Sequence, residues 1–169
     1  TGVNANNLAA INSILASLPA GSRDSVAEIQ ALVDAYNALL TGADGTSNNN
    51  VNLIASQYAA LGLGAIDTAA EVSLMNRVLD VKTASGVDTA AELIDIATAV
   101  SGIMATAADL TASPALTPAI LASIGITGVT DANLAAVLGA IAGTANDGTG
   151  VDTLVEMQAL VDQIVASAK

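Results

Sequence analysis

The chain has no cysteine, histidine, tryptophan or phenylalanine, and only four of its 169 residues are lysine or arginine. Without cysteine there is neither a disulfide nor a thiolate. With histidine gone as well, the usual general base and the soft metal ligands are missing, so the chain reads as non-enzymatic. The four basic residues, Arg23, Arg77, Lys82 and Lys169, face 16 acidic ones, for a net charge of −12. Nucleic acid is excluded as a partner, because neutralising phosphates takes clustered lysine and arginine. An anionic membrane surface repels such a chain too.

Long apolar runs are also lacking. The hydrophobic fraction is 53%, but much of it is alanine, and Pro114, Pro118 and Asn48-Asn49-Asn50 interrupt the uncharged stretches. Nothing approaches the roughly 20 apolar residues of a spanning helix, and no basic, signal-type start is seen. The expectation is a soluble chain without membrane insertion. Its acidity and lack of cysteine suit an extracellular location at a cell surface. With few aromatics and much alanine, strand signals are poor and the fold class is all-α.

What is present is a recurring helix start. Each of the four glutamates stands three residues after a hydroxyl: Ser25 and Glu28, Thr68 and Glu71, Thr89 and Glu92, Thr153 and Glu156. This is capping-box spacing, in which hydroxyl and carboxylate each take up a free backbone N–H. A carboxylate in the first turn also favours the positive end of the helix dipole. The acidic pairs Asp24/Glu28, Asp88/Glu92 and Asp152/Glu156 recur at the same phase, which favours capping over acid–base work.

The flanking residues recur as well. Ser25-Val26-Ala27-Glu28-Ile29-Gln30-Ala31-Leu32-Val33-Asp34 matches Thr153-Leu154-Val155-Glu156-Met157-Gln158-Ala159-Leu160-Val161-Asp162, and Thr89 to Ile96 is a looser copy in phase. Thr1 to Ile11 matches Thr127 to Val137, with Gly64 to Leu74 between them. The period is about 64 residues. Each full unit predicts three helices: a short one over 53–61 and 117–124, ending at a glycine suited to a left-handed cap; a second over 4–18, 68–81 and 130–142; a third over 25–40, 89–105 and 153–167. Val3 with Leu8, and Val129 with Leu134, are spaced as hydrophobic staples.

The expected architecture is therefore a tandem array of three-helix bundles. It comprises a partial repeat over 1–41, which lacks its first helix, and full repeats over 51–105 and 116–169. Residues 42–50 and 106–115 read as linkers. The incomplete first repeat fits a cut from a longer array, or a helix supplied by another subunit.

Candidate sites are few. Asp44, Asp147 and Asp152 lie on glycine-rich loops and could offer oxygen to calcium, the one cofactor considered, but the full EF-hand spacing is absent. Tyr36 and Tyr58, the only aromatics, sit on apolar helix faces. They read as core residues with a wet hydroxyl, or alternatively as hot spots for a protein partner. No catalytic residue is assigned.

Two sets of stretches carry a resemblance. One is Tyr58-Ala59-Ala60-Leu61-Gly62-Leu63, then Ile66 to Asn76, then Gly86-Val87-Asp88-Thr89-Ala90-Ala91-Glu92; the other is Ile126 to Val137 with the third-helix copies. Together they resemble the GA-like helical repeats of very large bacterial surface proteins, over nearly the whole chain. The resemblance implies three-helix modules in tandem on secreted, adhesin-like or biofilm-associated proteins. Related modules bind albumin; no matching binding motif is present here, so only architecture and location are carried over. The expected function is a structural spacer or adhesive stalk. The alternatives are a self-assembling filament subunit and a protein-binding module.

Overall fold

The hydroxyl–glutamate pairs set where half of the helices begin. In a computed structural model, which describes residues 1–167, the hydroxyls of Ser25, Thr68 and Thr89 each accept the N–H of the glutamate three residues on, at 3.2 Å. The glutamate carboxylates in turn accept from the N-cap amides at 3.0–3.1 Å. Thr153 and Glu156 make the hydroxyl-to-amide contact at 3.2 Å and the hydroxyl-to-carboxylate contact at 2.8 Å. The chain is all-α, with α1 over Leu8–Ser17, α2 over Val26–Gly42, α3 over Ala55–Ala60 and α4 over Ala69–Asp80. After these come α5 over Ala90–Ala107, α6 over Pro118–Ser123, α7 over Leu134–Ala142 and α8 over Leu154–Ser167. The last two positions of the 116–169 span, Lys169 among them, lie outside the described residues.

Two helices begin later than their pattern predicts. The expected starts are Asn4 and Thr130; α1 starts at Leu8 and α7 at Leu134. Asn7 and Asn133 explain the shift. Asn7 Oδ1 accepts from the Asn4 amide at 2.8 Å and its Nδ2 donates to the Gly2 carbonyl at 2.8 Å. Asn133 does the same with Thr130 and Gly128, at 2.7 and 2.9 Å. The preceding residues are thereby held as a separate turn. The short helices end as expected: Gly62 and Gly125 have φ of +82° and +96°. The next amides, of Leu63 and Ile126, reach back to the Tyr58 and Leu121 carbonyls at 2.8 and 3.0 Å, closing a Schellman motif.

The helices pack as three consecutive pairs, α1 with α2, α4 with α5 and α7 with α8. Contacts also run between pairs: α1 on α5 and α2 on α4, then α4 on α8 and α5 on α7. The sequence grouping puts each short helix ahead of the pair that follows it, yet α3 packs chiefly on α2 and α6 on α5, the long helices before them. One hydrophobic core runs from Ala10 to Val161 through all three pairs. The surface of 7995 Å² is close to the roughly 7,600 Å² of a compact protein of this mass. The pairs are docked, not strung out. Helix α5, 18 residues long, is apolar enough in composition to cross a membrane, but 56% of it is buried inside the fold, where α1, α4, α6 and α7 cover it.

Candidate functional site

Away from the helix starts, polar side chains gather beneath the segment that leads from α2 to α3. Asp80, at the end of α4, is buried. Its carboxylate accepts three backbone amides: Asn49 at 2.7 Å, Asn50 at 2.7 Å and Val51 at 3.2 Å. Burial alone would raise its pKa; the amides outweigh burial and hold the carboxyl below its ordinary value. One turn earlier, Asn76 pairs with both backbone groups of Leu53, accepting its N–H at 3.0 Å and donating to its carbonyl at 2.9 Å. Arg77 donates to the Val51 carbonyl at 3.3 Å. The end of the stretch expected to be a linker, Asn49 and Asn50, and the residues that follow it are thus bonded to one helix. Nearby, Gly45 N–H donates to the Lys82 carbonyl at 2.9 Å.

Both tyrosines lie inside. The Tyr58 hydroxyl donates to Asn76 Oδ1 at 2.6 Å, and burial pushes its pKa far above the usual range, with Arg77 opposing. Tyr36 donates to the Val87 carbonyl at 3.1 Å. Its pKa is pushed up to about 12 by burial first, then by Asp88 and Glu92. The hydroxyls are therefore bonded to protein rather than wet, and both rings are buried.

Two of the three candidate calcium ligands are engaged locally. Asp44 accepts from the Thr46 amide at 2.9 Å, the Thr46 hydroxyl at 2.6 Å and Asn48 at 2.9 Å, which holds its pKa down. Asp147 accepts from the amide and hydroxyl of Thr149 at 3.1 and 2.8 Å, and its pKa is lowered for the same reason. Asp152 differs. Burial raises its pKa, and the adjacent Glu156 adds to the rise while Ser73 opposes it. Among the described residues no three acidic groups converge as a metal centre would need.

A second construction occurs at both ends of the molecule. Gln158 accepts the Thr127 N–H at 2.9 Å, donates to the Thr127 carbonyl at 3.1 Å and donates to Asp162 at 2.8 Å. Gln30 likewise accepts from the Thr1 nitrogen, donates to the Thr1 carbonyl at 3.0 Å and donates to Asp34 at 2.7 Å. In α5 the residue at this phase is Ile94, which is exposed beside a shallow depression of about 240 Å³ lined in part by Leu63, Ala65 and Thr98.

Sequence reasoning passed over Asp80, Asn76 and the two glutamines. A signal existed for each: Asn76 and Asp80 stand four apart, one turn from each other on α4, and Gln30-Asp34 recurs as Gln158-Asp162. Every buried side-chain nitrogen or oxygen among the described residues has a hydrogen-bond partner. Chemically, these groups fix main chain in place. No family model matches the chain, and neither a curated protein nor a solved structure matches it.

Proposed function

We propose that the chain is a run of three-helix-bundle repeats, with a period of about 64 residues, acting as a non-catalytic spacer or adhesive stalk in a secreted bacterial surface protein. The observation that carries this reading is the pair of identical glutamine clamps. Gln30 and Gln158 hold the same backbone groups of Thr1 and Thr127 with the same donors and acceptors. Asn7 and Asn133 repeat the accompanying turn. Such detailed local agreement supports one module copied along the chain rather than alanine-rich helices that merely look alike.

The mechanical part rests on docking. A core continuous through three pairs resists bending where a flexible linker would not. The four glutamates, Asp44, Asp147 and Asp80 are engaged in caps, turns and the cluster beneath the first connection. The acidic surface limits collapse onto a negatively charged cell wall, and location follows from the resemblance to surface repeats. Small-angle X-ray scattering of the dilute monomer tests the reading. A rigid particle is expected, with a maximum dimension that neither calcium nor a chelator alters. A profile of independently moving beads would remove the spacer role.

A further inference from the structure

We infer that the two ends of the molecule are complementary, and that a second copy of this chain docks head to tail through them. The inference rests on the repeat reading above but not on the spacer role. Its starting point is that the same junction is built twice within the chain. The first helix of one pair packs on the second helix of the next, and the second on the first: α1 on α5 with α2 on α4, then α4 on α8 with α5 on α7. At the first junction Ser13 accepts from the Ala90 amide at 3.0 Å and Tyr36 donates to the Val87 carbonyl at 3.1 Å.

The first pair leaves open the side that the later pairs have covered. Val3, Val26 and Ile29 are 48%, 84% and 37% exposed. At the matching positions Ile66, Ala90 and Leu93 are buried; in the third pair Met157 is buried, and Val129 and Leu154 are half-buried. The opposite side is open on the third pair. Leu160 and Ile164 are only half-buried, where Leu32 and Tyr36 in α2, and Ile96 and Val100 in α5, are buried. Ala136 is exposed, where Ala10 is buried. Each end thus shows the half of the junction that the other end lacks.

The internal junctions favour end-to-end over like-to-like contact, since both join one side of a pair to the opposite side of the next. Arg23 stands where Val87 and Val151 are buried, and its guanidinium donates to the Leu15 carbonyl of its own pair. End-to-end contact is heterologous and does not close, so it extends into linear stacks.

Light scattering across a concentration series, with two surface variants, decides the matter. The native chain is expected to grow beyond monomer with concentration, more so in added salt, which screens its net charge of −12. Val26→Asp at one end and Ala136→Glu at the other should each weaken association by about tenfold or more, since each places an unpaired charge in the joint. Mixed together they should form a 1:1 dimer that grows no further, because each keeps one sound end. Far-ultraviolet circular dichroism and melting temperature confirm that both variants stay folded. A native chain that remains monomeric at every concentration overturns the inference. So does association that only one variant disrupts, which is the mark of contact between like ends. Because the monomer's own scattering profile is read at the lowest concentration, loss of self-association leaves the spacer reading standing.

Discussion

Two connections do the same job by different chemistry. Each leads from a long helix to a short one, α2 to α3 and α5 to α6. The first is held by polar groups of α4: Asp80 takes three amides and Asn76 takes both backbone groups of Leu53. The second has no such anchor. Its start bonds only to its own helix, Asp109 and Leu110 donating to the Thr106 and Ala105 carbonyls at 3.1 and 2.8 Å. Leu110 is exposed, and Leu116 is buried against Gly102. The matching positions, Gly139 to Gly143 at the end of α7, offer no carboxylate or side-chain amide. A clamp of directed hydrogen bonds fixes a backbone path; an apolar peg fixes only a depth of insertion.

The largest expected effect comes from Gly42, the last residue of α2. A Cβ built there would lie 2.5 Å from the Val51 nitrogen and 2.6 Å from the Asn50 carbonyl carbon. Both belong to backbone that Asp80 pins, so the chain cannot yield without losing those bonds. Gly42→Ala should destabilise the fold by about 3 kcal/mol, the upper part of the range for overpacking. Urea denaturation followed by circular dichroism measures it. A loss below about 1 kcal/mol would mean the first connection is not rigid.

Asp80→Asn comes next, at about 2 kcal/mol at neutral pH, because a charged acceptor of three amides becomes a neutral group with one acceptor oxygen. Its pH dependence separates it from a packing change. The folded pKa lies below its ordinary value. The carboxylate's stabilisation is therefore full above the unfolded pKa of about 3.9 and is lost as pH falls through the lower folded value. The gap between native chain and variant should accordingly narrow in acid. A gap that stays constant from neutral pH to the acid transition would show that shape, not charge, holds the segment.

This contrast also marks what the sequence can show. The starts of α2, α4, α5 and α8 were legible because a capping box is complete within four residues. The starts of α1 and α7 were placed four residues early, because Asn7 and Asn133 resemble ordinary helix residues until their bonds to Gly2 and Gly128 are seen. The Asp80 cluster was hidden for a different reason. Its partners are backbone amides about 30 residues away, and an amide has no side-chain signature. The segment above it looked like a linker because asparagine and glycine signal a turn whether or not a carboxylate waits beneath. Apolar periodicity correctly put Tyr36 and Tyr58 on inward faces. It could not say that both hydroxyls would be bonded to protein, since Val87 and Asn76 lie on other elements.

Gly102 gives the smallest expected effect and the sharpest contrast with Gly42. It lies within α5, where glycine is less favourable than alanine by roughly 0.5–1 kcal/mol. An added Cβ would come within 2.9 Å of Leu116 Cδ2, 3.4 Å of its Cγ and 3.7 Å of the Ala112 Cβ. The nearest atom is the far end of a flexible side chain on a connection that no polar clamp restrains. Leu116 can turn aside, and the helix gain offsets the crowding. Gly102→Ala should therefore leave stability within about 0.5 kcal/mol of the native chain. Measured beside Gly42→Ala in the same urea series, it compares a methyl pushed against a peg with one pushed against pinned backbone. If both substitutions cost the same, the second connection is as rigid as the first. Its rigidity would then come from Leu116 packing alone, and directed hydrogen bonds would not be what sets the two connections apart.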